Sequence, residues 1–297
     1  MPTTKKNPTT SKLINRHAEI EQIGHILDRI KNCKNVTFEG VNYHGLAGIG
    51  KSRLIRHIGS LCREKDIPFA LVDFEESPLQ SHADYLALLA SQLGKYQELF
   101  TALQAAAQEQ INSAMVKTLQ DAVNGKQLSI EEEPFVLIHD SCEYCEPGLF
   151  DWIGKEFLEC INKLLRRPVV FFLAGRGPHV KMSYWPPELS NKVESYYISA
   201  FDIAGTKEHI AALDRNGAFR GVEAEIFALS SGHPYCTETV LYHLQKLNVD
   251  VRELPKHRKT LALRLYEEVI QQKLMPDEKV WPHENFAISC FPRQFDA

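Results

Sequence analysis

The chain has 297 residues, 44% of them hydrophobic and 24% charged, with a formal charge of -4. That is length for one large domain or two of ordinary size, and enough apolar content for a real core. The acidic balance gives no global footprint of a dedicated nucleic-acid binder, no apolar run reaches the roughly 18–20 residues a membrane helix needs, and the opening MPTTKKNPTTSK lacks the apolar stretch of a signal peptide. Seven cysteines, scattered through core-like sequence, do not make a disulfide framework. A cytoplasmic, reducing setting is expected, with neither a membrane nor a nucleic acid as partner.

Residues 1–12 are too polar to fold alone and are expected to be a disordered lead-in. From Arg16 to Ile30, Ile20, Ile23, Ile26, Leu27 and Ile30 fall on one face of an amphipathic helix. Val36 to His44 reads as a strand, the Gly-rich run from Gly45 to Gly50 as a loop, and Lys51 to Glu64 as a helix. A short apolar run, Phe69 to Phe74, suits the second strand of a parallel sheet. Asp84 to Asn124, rich in Ala, Leu and Gln and free of proline, predicts a helical insertion. Phe135 to His139 and Val169 to Ala174 are buried-strand runs flanking a helix at Phe150 to Leu165, and Glu194 to Phe201 closes the sheet. Beyond Phe201 only helices follow, near Thr206–Asn216, Glu223–Ser230, Pro234–Leu247 and Lys259–Lys273. Strands alternating with helices, then helices alone, predict a parallel α/β sheet with a helical appendage.

The strongest chemical signal is GLAGIGKS, residues Gly45, Leu46, Ala47, Gly48, Ile49, Gly50, Lys51 and Ser52, with Arg53 following. Gly, four residues, Gly, Lys, Ser between a strand and a helix is the phosphate-cradling P-loop. Backbone N–H groups and the positive end of the helix face one anion. Lys51 is positioned to reach the β and γ oxygens, and the Ser52 hydroxyl to ligate Mg2+. Asp140 ends the strand from Phe135, so its carboxylate emerges beside the loop and suits the same metal. Glu143 is the first candidate to orient the attacking water, against a solvated Glu143 or Glu146 in that role. Arg176, just past the strand from Val169, is placed to bind a γ-phosphate. Cys142 and Cys145 form a CxxC pair without a second pair to complete a zinc site, and the twelve histidines show no ligand spacing.

In order, LINRHAEIEQIGHIL, YHGLAGIGKS, FVLIHDSCE, VVFFLAGR and SGHPY resemble the STAND class of P-loop ATPases, nucleotide switches related to AAA+ proteins that include NACHT and apoptotic-type members. The resemblance spans Leu13 to Leu247 and implies a P-loop sheet domain at 13–201, a helical lid at 202–254 and the start of a winged-helix segment at 255–297, cut short. It implies that Asn15 and Arg16, with Glu19, lie near the adenine of ATP or ADP, that Pro234 of Gly232-His233-Pro234 packs on that base, and that protein partners or self-association act through flanking domains. The carboxylate three positions past Asp140 follows the NACHT pattern, while Ser141 replaces a common second acid and implies slow hydrolysis.

Three functions are therefore compared: an ATP-dependent, slowly hydrolysing STAND signalling switch first, an AAA+ origin-recognition-like DNA-binding ATPase second, and a small-molecule kinase third. The kinase would need an Arg-rich lid that 190–255 does not supply.

Overall fold

A computed structural model describes residues 13–32, 39–77, 79–107, 134–158, 160–161, 169–176, 190–214, 216–246 and 253–265. The expectations for the lead-in, for the strand before Glu39, for the insertion beyond Ala107 and for a winged-helix segment past Leu265 lie outside those residues. The chain divides into two compact units, Gln22–Ser199 and a second made of Met1–Glu21 with Ala200–Ala297.

The larger unit is built on five parallel strands: β1 (Glu39–His44), β2 (Phe69–Asp73), β3 (Phe135–Asp140), β4 (Val169–Gly175) and β5 (Val193–Tyr197). Their order in space is β2-β3-β4-β1-β5. Burial follows position in that order. The inner strands β3 and β4 are buried at every residue, whereas β2 alternates and β5 is largely exposed, as edge strands are. This explains why β3 and β4 read as unbroken apolar runs and β5 as a weak alternation ending short of Phe201.

The helices are α1 (His17–Asn32), α2 (Lys51–Glu64), α3 (His82–Gln92), α4 (Gln97–Ala107) and α5 (Pro147–Trp152). In α1 the buried face is Ile23, Ile26, Leu27 and Ile30, the predicted stripe less Ile20. A capping box starts α3: the Ser81 hydroxyl accepts from the Asp84 amide at 3.1 Å, and Asp84 accepts from the Ser81 amide at 3.1 Å. The helix expected at Phe150 begins three residues earlier. Glu146 accepts from the Leu149 amide at 2.8 Å and Pro147 opens the first turn, a polar cap and a proline that apolar periodicity does not register. It then passes into a wider π turn at Ile153–Phe157. Tyr85, Phe100, Phe135, Trp152 and Phe157 pack edge-to-face and tilted, fastening these helices to the sheet.

Among its described residues the smaller unit carries helices only past Ala200: α6 (Ile203–Leu213), α7 (Glu223–Ser230), α8 (Pro234–Lys246) and α9 (Leu254–Leu265). The last begins before the expected Lys259, since a proline at position 255 is tolerated in a first turn that needs no N–H. Between α7 and α8, Ser231 and Gly232 are left-handed, with φ of 51° and 73°. A Cβ on Gly232 would stand 1.9 Å from the Phe201 carbonyl oxygen, which only glycine allows. Gly232→Ala is therefore expected to destabilise the protein by about 2 kcal/mol or more, through backbone strain and overpacking together. Urea denaturation followed by circular dichroism checks this; an unchanged midpoint would contradict it.

Candidate functional site

All five strands being parallel, their carboxyl ends share one edge of the sheet. The register brings His44 level with Gly175, and Asp73 level with Asp140. The glycine loop after β1, Asp140 ending β3 and Arg176 after β4 are thus delivered to one edge, where open parallel sheets bind ligands.

The loop from Gly45 to Gly50 turns into α2 with Gly48 at φ 73° and Gly50 at φ 101°, left-handed positions that keep its backbone free to wrap an anion. Lys51 is the first residue of α2 and is only 8% exposed. Its ammonium donates to the carbonyl oxygens of Gly45 at 3.0 Å and Leu46 at 2.8 Å. Burial lowers the Lys51 pKa to about 8, with Glu143 and Asp140 opposing that shift and Arg176 adding to it. Ser52 donates its hydroxyl to Asp140, and Arg53 lies beside it in the first turn of α2.

Asp140 is 2% exposed. Burial raises its pKa to about 6, the hydrogen bond from Ser52 works against that rise, and neighbouring Asp73 adds to it. A buried carboxylate touching a hydroxyl, both hard oxygen donors, is the chemistry Mg2+ takes when phosphate and water complete its shell. Among the described residues, no group of three or more His, Cys, Asp or Glu is arranged to hold a metal. Cys142 and Cys145 form no disulfide, and burial raises the Cys142 thiol well above its ordinary range.

Glu143 lies on a one-turn 3-10 helix, Cys142–Tyr144, that starts from left-handed Ser141. One carboxylate oxygen accepts from the Arg176 amide at 3.2 Å, and the other faces the Arg176 Nε at 3.0 Å. Glu146 is engaged as the cap of α5. Behind Asp140, His139 is buried between the rings of Phe74 and Tyr85, and its Nε2 meets the Tyr85 hydroxyl at 2.8 Å. Burial depresses its pKa to about 3, so the ring is neutral.

In the smaller unit, Asn15 is left-handed at φ 50° and its amide donates to Asp202, the N-cap of α6, at 3.3 Å. Arg16 is buried, its guanidinium 5.0 Å from the Phe201 ring centroid and 3.6 Å from Glu19. Burial lowers its pKa. The Phe201 amide also donates to the Gly232 carbonyl at 3.0 Å, two residues before Pro234 opens α8. Asn15, Arg16 and the Gly232–Pro234 turn thus gather around Phe201 and Asp202. Neither is among the residues the sequence motifs single out: Asp202 carries a local D-x-x-G cap signal, whereas nothing local marks Phe201.

No family model matches the chain, and no curated protein sequence matches it. Solved structures do. ORC2 of Aeropyrum pernix, in ADPNP-ADP complexes, aligns at TM-score 0.53 and 12% identity over 90% of this chain and 70% of that one. Its ADP form aligns at 0.52 and 14%, over 90% and 71%. Cdc6p of Pyrobaculum aerophilum aligns at 0.56 and 13%, over 82% and 66%. The fold this chain shares with them is that of the P-loop NTPases, a parallel five-stranded sheet flanked by helices. That matches the parallel sheet flanked by helices that the sequence predicts. Among the described residues no helix is long and apolar enough to cross a membrane.

Because the Asp140 pKa is raised, the stability it lends is full below its unfolded value of 3.8 and is lost as pH rises through about 6. Asp140→Asn removes that loss. Without Mg2+ at pH 8 it is expected to stabilise the chain by on the order of 1–3 kcal/mol and to flatten the pH 4–6 limb. Thermal melts across pH test this, and an equal or lower Tm for the variant at pH 8 would contradict it.

Proposed function

We propose that this chain is an Mg2+-dependent ATP-binding and ATP-hydrolysing module. The observation that carries the reading is the convergence of Lys51, Ser52, Asp140, Glu143 and Arg176 on the carboxyl edge of one AAA+ sheet. Loop N–H groups and the start of α2 hold the β-phosphate. Lys51 exchanges its carbonyl acceptors for β and γ oxygens, and Arg176 neutralises charge that builds on the γ-phosphoryl group. Glu143 orients the attacking water and accepts its proton. Ser52 and Asp140 are the residues that would hold Mg2+, which when bound neutralises phosphate charge. Asn15, Arg16 and Pro234 are proposed as base-recognition residues on the strength of the family resemblance.

Two finer readings extend this one. The likeness to the ORC2 and Cdc6p structures favours an origin-recognition-type ATPase that binds DNA. Charge supports it too: α9 carries Lys256, Arg258, Lys259 and Arg264 and no acidic residue, so the chain's acidic balance does not argue against a phosphate-backbone contact. The STAND switch rests on the Asn15-Arg16 and Gly232–Pro234 motifs. Duplex DNA affinity that falls steeply with salt is the expected result for the first, and undetectable binding at low salt would leave the second.

Calorimetric titration with ADP, ATP and GTP in Mg2+ is expected to give adenine-selective binding, weakened at least about a hundredfold in Lys51→Ala as a charge-assisted phosphate contact is lost. Equal binding by the variant would overturn the proposal. So would an absence of nucleotide both in titration and after denaturation of the purified protein.

A further inference from the structure

Tyr144 is half exposed, at 49%. Its surroundings give it work. The Tyr144 hydroxyl accepts a hydrogen bond from Arg176 Nη2 at 3.0 Å, and its ring centroid lies 5.7 Å from the Arg176 guanidinium carbon. The next residue back, Glu143, takes the Arg176 Nε at 3.0 Å. Gly175 leaves room for that carboxylate, since a Cβ there would press on it at 3.3 Å. The turn Cys142–Tyr144 follows Asp140 after one residue, Ser141, and is closed by a hydrogen bond from the Tyr144 amide to the Ser141 carbonyl at 2.9 Å. One short turn past the end of β3 therefore holds the guanidinium at both Nε and Nη2.

We propose that Tyr144 is a positioning residue that aims Arg176 at the γ-phosphate. This rests on the ATP-binding reading and adds a part of the site that neither the P-loop motif nor the acidic pattern contains. The contacts to Glu143 and Tyr144 use two of the five N–H donors of the guanidinium and fix its plane. Three donors remain for phosphate oxygens. A guanidinium held by only one neighbour swings about its long stem and loses that aim, whereas one pinned at Nε and Nη2 meets the phosphate in a set orientation. Tyr144 touches no part of ADP in this scheme, so it acts on the third phosphate alone.

The test is Tyr144→Phe, which keeps the ring and removes the hydroxyl, compared in wild-type and Arg176→Met backgrounds. Mg2+-ADP and a nonhydrolysable ATP analogue are titrated into the full chain, and ATP turnover is followed. The expected result is an affinity for the analogue and a kcat each about threefold to tenfold lower, as loss of one hydrogen bond gives, with ADP affinity unchanged. In the Arg176→Met background the hydroxyl is expected to make no difference, the signature of a coupled pair. An unchanged preference for the analogue over ADP, an equal loss for both nucleotides, or the same loss in both backgrounds would overturn the proposal while leaving ATP binding intact. No nucleotide binding by the wild type would overturn the ATP reading and this inference with it.

Discussion

A lysine ammonium at the first residue of a helix is in an unfavourable place. The amino end of a helix is electropositive, and Lys51 is nearly fully buried there. Two inward-turned loop carbonyls satisfy the ammonium, yet its pKa still falls to about 8. Three positive features, the loop amides, the helix start and Lys51, thus share one small volume at the end of β1. Folding alone gives no reason for that; an anion with several oxygens does.

The sheet supplies the counterparts. Parallel strands must all end on one edge, so a carboxylate ending β3 and an arginine following β4 come to the P-loop without any loop having to reach for it. The same geometry strains the site. Asp140 is driven toward its protonated form by burial at the place where a bound cation would favour ionisation. The buried, neutral His139 and its Tyr85 partner form the layer behind Asp140. Stability is lowered locally where ligand binding would restore it, a common arrangement at functional sites.

Much of this was legible in the sequence because its signals are local. Glycine spacing, an apolar run before it and helical period after it locate β1, the loop and α2, and unbroken apolar runs locate β3 and β4. Asp140 and Arg176 are legible as the residues that follow such runs. What was not legible depends on residues distant in sequence. Tyr144 looks like any turn tyrosine until β4 brings Arg176 to it, and Phe201 gains its place only when Arg16 and Gly232 fold around it. Glu146, the alternative water-orienting carboxylate in the sequence, caps a helix, which apolar periodicity does not register, and the edge position of β5 hides its extent because an exposed strand has little apolar pattern to display.

In the proposed reading, the charge of Lys51 is held in reserve for a phosphate. The most direct measurement is the pKa of its Nζ, followed by NMR of isotope-labelled lysine with Lys51→Arg as the assignment control, in the absence and presence of Mg2+-ADP. The expected result is a pKa near 8 that climbs by at least about one unit when nucleotide binds. A value close to that of free lysine, unmoved by nucleotide, would contradict it.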